Sequence, residues 1–93
     1  MAADEDRQRL DRWLWHARVV RTRAAAADLV RSGHVRLDGQ RVTGAAHPVK
    51  LGQVLTVSLN AGVRVLRVRG FAERRGDATS VADLLDDITD EIR

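Results

Sequence analysis

A chain of 93 residues has room for one domain with a modest core and none for a separate catalytic domain. It holds no cysteine, which excludes disulfides and thiolate chemistry and suits a reducing, cytoplasmic setting, and no apolar run approaches the roughly 18–20 residues of a membrane span. The net charge of +3 conceals a segregation: residues 7–75 carry fourteen arginines and one lysine against four acids, a net +11, between acidic ends, the footprint of a polyanion binder.

Residues 1–6 read as a disordered acidic N-terminus without the apolar core of a secretory signal. From Arg7 onward, Leu10, Trp13, Leu14 and Ala17 recur at i, i+3, i+4 and i+7, one face of an amphipathic helix. Arg9, Arg12 and His16 fall on a neighbouring strip of that helix and form a cationic face. Trp15 points away from Leu10 and is expected to cap the edge of the core, with stacking on an unpaired base as the alternative. Thr22 suits the N-cap of a second helix, Arg23 to Arg31, whose buried face is Ala25, Ala26, Leu29 and Val30 and which Gly33 ends. Arg18, Arg21 and Arg23 cluster at the bend and at a helix N-terminus, an arrangement that disfavours the free protein slightly and suits a phosphate.

Asp38-Gly39 between alternating residues is a two-residue hairpin signal. That turn pairs Leu37 with Gln40, Arg36 with Arg41 and Val35 with Val42, so two arginines stand opposite each other, a repulsion of about 0.2–1 kcal/mol that an anion would reverse. Thr43 to Pro48 reads as a loop, Val49 to Gln53 as a turn, Val54 to Leu59 as a strand and Asn60-Ala61-Gly62 as a hairpin loop. In the returning strand, Val63 to Phe71, the apolar residues change parity, and a bulge near Val65 and Leu66 would reconcile them. From Thr79 the pattern predicts one acidic amphipathic helix, with Val81, Leu84, Leu85, Ile88 and Ile92 as its stripe and Thr79 or Ser80 as its cap. The division expected is 1–6, a basic domain over 7–75 and the acidic helix over 76–93.

The order Arg9-Leu10-Asp11, Thr22-Arg23, Ala26, Gly33 and Val35-x-Leu37-Asp38-Gly39 resembles the S4 RNA-binding domain over roughly residues 9–58. The string Arg9 to Trp15, with Arg18 and Thr22-Arg23-Ala24, and the exit Phe71-Ala72-Glu73-Arg74-Arg75 are similar to small stand-alone bacterial members of that family. Two positions depart from the family pattern: Asp38-Gly39 stands where Asn-Gly is usual, and Gly52-Gln53 where Gly-Asp is common. The resemblance implies an α+β, S4-like (alpha-L) fold, with two N-terminal helices packed on a small twisted antiparallel sheet. It also implies ribosomal RNA as ligand, the large ribosomal subunit as partner, and stress response or ribosome quality control as the setting, on subunits stalled with a nascent chain and its tRNA. Carried over by position, Arg9, Arg12, Arg18, Arg21, Thr22 and Arg23 face the RNA, and Arg36, Gln40, Arg41 and Lys50 extend the surface.

Catalysis is not expected. His16, His34 and His47 lack metal-ligand spacing, Asp11 and Asp38 have ordinary places at a helix start and a turn, and no glycine-rich phosphate loop is present. No metal, cofactor, membrane or small-molecule substrate is therefore anticipated. Two other binding modes compete: a DNA binder using the helix pair as a helix-turn-helix, and an adaptor acting through its acidic C-terminal helix.

Overall fold

The computed structural model describes residues 7–72 and 81–92, without the side chain of Ile92. The acidic residues 1–6, the Glu73-Arg74-Arg75 exit and the caps proposed at Thr79 and Ser80 lie outside the described residues. Two short helices, α1 (Leu10–His16) and α2 (Arg23–Arg31), lie against a sheet built from β2 (Val35–Leu37), β3 (Gln40–Arg41), β5 (Val54–Leu59), β6 (Gly62–Val68) and β7 (Leu85–Asp87). The sheet is antiparallel in the order β3-β2-β5-β6-β7, and a separate ribbon pairs β1 (Arg7–Arg9) with β4 (Pro48–Lys50). The expected α+β, S4-like arrangement of two helices on a small antiparallel sheet is the one present. One core joins the layers: Leu10, Trp13 and Leu14 of α1, Ala26 and Val30 of α2, and Val35, Leu55, Val57 and Leu66 of the sheet are all fully buried. Ala25, expected on the buried face of α2, is exposed, and the small side chain of Ala26 lets the helices approach closely.

The first helix begins at Leu10, the first residue of its apolar period, and not at Arg7. Residues 7–9 are a strand, with Arg7 opposite Lys50, Gln8 opposite Val49 and Arg9 opposite Pro48, and Gln8 donates its amide to the carbonyl of Ala72 at 2.8 Å. Arg9, the N-cap, provides no capping side chain; instead the N–H groups of Leu10 and Asp11 donate to the carbonyls of His47 and Ala45 at 2.9 and 3.0 Å. The loop over 43–47 thus supplies the acceptors that a Ser or Asp cap would otherwise offer. The cationic strip of Arg9, Arg12 and His16 is corrected accordingly: Arg9 lies on the strand and His16 is buried, with Arg12 Nε 3.4 Å from its Nε2. Trp15 is half-buried with its ring centroid 5.0 Å from that of His16, and the partly buried residues packed on the core are Val19, Val20, Leu29, Leu59, Phe71 and Val81 instead.

The Asp38–Gly39 hairpin forms with the expected register. Both turn residues have positive φ, 50° and 86°, and the pairs Arg36 with Arg41 and Leu37 with Gln40 follow, with Val42 donating to the carbonyl of Val35 at 3.0 Å. No bulge interrupts β6, whose ladder with β5 runs unbroken from Val54 opposite Arg67 to Leu59 opposite Gly62. The parity change has another cause: β6 is covered on both sides. Leu66 and Val68 join the core, while Val65 is enclosed by the C-terminal segment, donating to Thr89 Oγ1 at 2.9 Å and accepting from Ile88 N–H at 2.8 Å.

The expected single C-terminal helix is the largest correction. The segment folds as α3 (Val81–Leu84), β7 and α4 (Thr89–Ile92). β7 closes the free edge of β6, placing Leu85 opposite Val68, Asp86 opposite Arg67 and Asp87 opposite Leu66. Leu84, Leu85 and Ile88 are buried as the stripe required, but the geometry differs, because strand pairing satisfies backbone groups that the edge of β6 would otherwise leave open. Arg64 and Arg69 fix the junction by ion pairs to Asp87 and Asp86 at 3.1 and 3.2 Å. Gly70 joins the segment to the helices: its carbonyl accepts from the Trp13 indole at 3.0 Å, its N–H donates to Leu84, and a Cβ there would lie 2.7 Å from the Asp83 carbonyl oxygen. Among the described residues no helix is long and apolar enough to cross a membrane.

Candidate nucleic-acid interface

Asp11 organises the basic face. Its side chain is only 5% exposed, yet its carboxylate meets three groups: the Arg9 guanidinium through two hydrogen bonds at 3.1 and 3.0 Å, the Arg12 backbone N–H at 2.7 Å, and Arg23 Nε at 3.8 Å. The Arg9 and Arg23 side chains remain 49% and 46% exposed. One buried acid therefore fixes the stems of two cations from different elements and leaves their outer N–H groups to solvent. The hydrogen bond from Arg9 to Asp11, and then the charge of that carboxylate, raise the Arg9 pKa above its ordinary value.

The bend over 17–22 adds Arg18 and Arg21, both exposed. Helix α1 ends with Val19 N–H donating to Leu14 and Arg18 N–H to Trp15, so Arg18 occupies the left-handed position of a Schellman motif with φ 60°. Thr22 caps α2, its Oγ1 accepting from Ala25 N–H at 3.0 Å, which leaves the hydroxyl proton available to an outside acceptor. With Arg23 opening α2 and no acid in its first turn, the positive end of the helix dipole meets further positive charge. Arg9 and Arg23 thus meet at one corner, Arg18 and Arg21 lie on the bend that leads into it, and Arg12 stands in the first turn of α1.

Lys50 reaches this corner through the β1–β4 ribbon. It stands opposite Arg7, and Arg9 lies two residues along from Arg7, on the same side of the ribbon. Arg7 joins the basic surface without having been expected there; the alternation Arg7-Gln8-Arg9 is the signal for it, masked when those residues are taken as helix. Arg36 and Arg41 face each other on the exposed side of the hairpin, and Gln40 stands opposite Leu37. This second group is displaced from the first: Arg41 leans over Gly33, its Cδ 3.4 Å from where a Cβ would sit, at the far end of α2 from Arg23. Nine helical residues separate the two groups by about 13 Å. The residues named from sequence therefore form two patches at opposite ends of one helix.

The two departures from the family pattern are both accounted for. Asp38 accepts from Val54 N–H at 3.0 Å and from Gln53 Nε2 at 3.3 Å, so its charge is held against the start of β5. Gln53 Oε1 accepts from Lys50 N–H at 2.8 Å and closes the turn that Gly52, with φ 85°, allows.

A family model, "S4 domain", matches residues 8–55. The chain belongs to the S4 domain family. Within it the chain is similar to heat shock protein 15 of Escherichia coli strain K12, 33% identical over 84 residues covering 90% of this chain and 62% of that protein. The chain thus spans less than two thirds of that relative's length. It is also 44% identical over 50 residues to small ribosomal subunit protein uS4 of Listeria welshimeri, covering 54% of this chain and 25% of the relative. Among solved structures, a trimeric heat shock protein 15 of Vibrio cholerae matches with a TM-score of 0.81 at 28% identity, over 94% of this chain and 87% of that one.

Proposed function

We propose that this chain is a non-catalytic module that holds folded RNA, specifically ribosomal RNA of the large subunit, in the setting of stress response or quality control of stalled subunits. The single observation that carries the reading is the buried Asp11 carboxylate that draws Arg9 and Arg23 together, with exposed Arg18 and Arg21 on the bend before Arg23. Fixed guanidiniums around a helix N-terminus match phosphate oxygens by charge and by fork geometry. The like-charged pairs Arg36 with Arg41 and Arg7 with Lys50 each cost stability in the free protein and gain from a bridging anion. The likeness to a ribosomal protein supports RNA over other polyanions, and tRNA on a stalled subunit is a further partner of the same chemistry. The DNA reading is weaker, since α2 exposes Ala24 and Ala25 where a recognition helix needs base-reading side chains. The adaptor reading is weaker too, because Asp86 and Asp87 are already engaged with Arg69 and Arg64.

The test is the salt dependence of binding to ribosomal RNA. Replacing Arg18, Arg21 and Arg23 with Ala lowers affinity and flattens the log-log salt slope by about 0.7–0.9 for each phosphate that the protein no longer neutralises. An unchanged slope, or a duplex DNA of equal charge that outcompetes the RNA, overturns the proposal.

A further inference from the structure

Between the Asp38–Gly39 hairpin and the loop over 43–47 lies an open groove of about 580 Å³. Leu37 and Val42, 6% and 9% exposed, give it an apolar floor. Asp38 and Gln53 also line it, but their polar atoms are committed to Val54, Lys50 and each other. Gln40, Thr43 and His47 differ: all three are exposed on the groove, and none makes a side-chain hydrogen bond to the described residues. An amide, a hydroxyl and an imidazole therefore surround an apolar patch with their donors and acceptors unused.

This combination selects its ligand by elimination. A bare phosphate has no use for an apolar floor, and a purely apolar ligand would strip water from three polar groups without replacing their hydrogen bonds. A planar heterocycle with donors and acceptors along its edge satisfies both requirements, since glutamine can give and take a hydrogen bond at once and histidine can stack as well as bond. We propose that the groove receives one unpaired RNA base, extruded from the structured RNA that the arginines hold. The proposal rests on the RNA reading above and adds to it a preference for an interrupted helix over a perfect one.

The probe is an RNA hairpin with a single bulged 2-aminopurine, compared with a fully paired hairpin of the same nucleotide count. The protein binds the bulged hairpin about tenfold more tightly, an amount one or two hydrogen bonds provide, and changes the 2-aminopurine fluorescence. The double variant Thr43→Ala, His47→Ala loses the preference and the fluorescence change while keeping its affinity and salt slope for the paired hairpin. Equal affinity of the unaltered protein for the two hairpins overturns the proposal, as does a double variant that still prefers the bulge. A failure of the RNA reading is separate, appearing as no response of either hairpin to loss of Arg18, Arg21 and Arg23.

Discussion

Both helices of the pair end in the same hydrogen-bond pattern, but with different residues at the left-handed position. After α2 it is Gly33, φ 81°, with His34 N–H donating to Leu29 and Gly33 N–H to Val30; after α1 it is Arg18, φ 60°. A side chain in that conformation costs roughly 1–2 kcal/mol, whereas glycine loses about 0.4–1 kcal/mol more backbone entropy on folding. Arg18→Gly is therefore expected to stabilise the fold by up to about 1 kcal/mol in a denaturant melt and to weaken RNA binding in the same preparation. A variant that is more stable and binds equally well would show that the guanidinium is idle. Strain retained where glycine is the easier choice is the mark of a side chain kept for binding.

Elements far apart in sequence are tied by a few specific bonds. Asp87 is the clearest: Thr89, through its hydroxyl and its backbone N–H, and then Arg64 hold the carboxyl below its ordinary pKa of 3.8. A carboxyl with a lowered folded pKa adds stability that is complete above the ordinary value and disappears as pH falls through 3.8 and below. The gap in urea midpoint between the unaltered protein and Asp87→Asn should thus be present at neutral pH and close in acid; a gap that persists at the lowest pH would remove the carboxylate from the explanation. Its size is small, because the side chain is 44% exposed. Gly70 links the same segment to α1, and Gly70→Ala is expected to cost about 1–3 kcal/mol by pushing the Asp83 carbonyl away. Tryptophan fluorescence follows this, since Trp13 is bonded to the Gly70 carbonyl. The hairpin was legible because Asp38-Gly39 determines it locally, and Thr22 and Gly33 likewise announced the ends of α2. The ribbon of β1 with β4 and the strand β7 were not, because their partners lie some 40 and 20 residues away and nothing in a three-residue run encodes the pairing. Apolar residues at i, i+3 and i+4 bury as readily across α3, β7 and the link after it as on one helix, which is why Leu84, Leu85 and Ile88 are inside as expected although only Leu84 is helical.

For the molecule as a whole, the charge segregation along the chain becomes a segregation in space. Asp87 and Asp86 of the C-terminal segment pair with Arg64 on β6 and Arg69 just after it, away from the helix corner and the hairpin. Which arginines would cluster was partly legible: the helix corner followed from the bend and the N-cap. That Arg36 and Arg41 stand a helix length away was not, because sequence spacing does not report where a hairpin points relative to a helix axis. The carboxylate at the hub of the basic corner has a consequence for anyone wishing to tighten the grip. Neutralising Asp11 makes the surface more positive and at the same time releases Arg9 and Arg23 from their shared anchor. Here electrostatic strength and net charge part company, and an engineer who counts only the latter will loosen the hand while adding to its fingers.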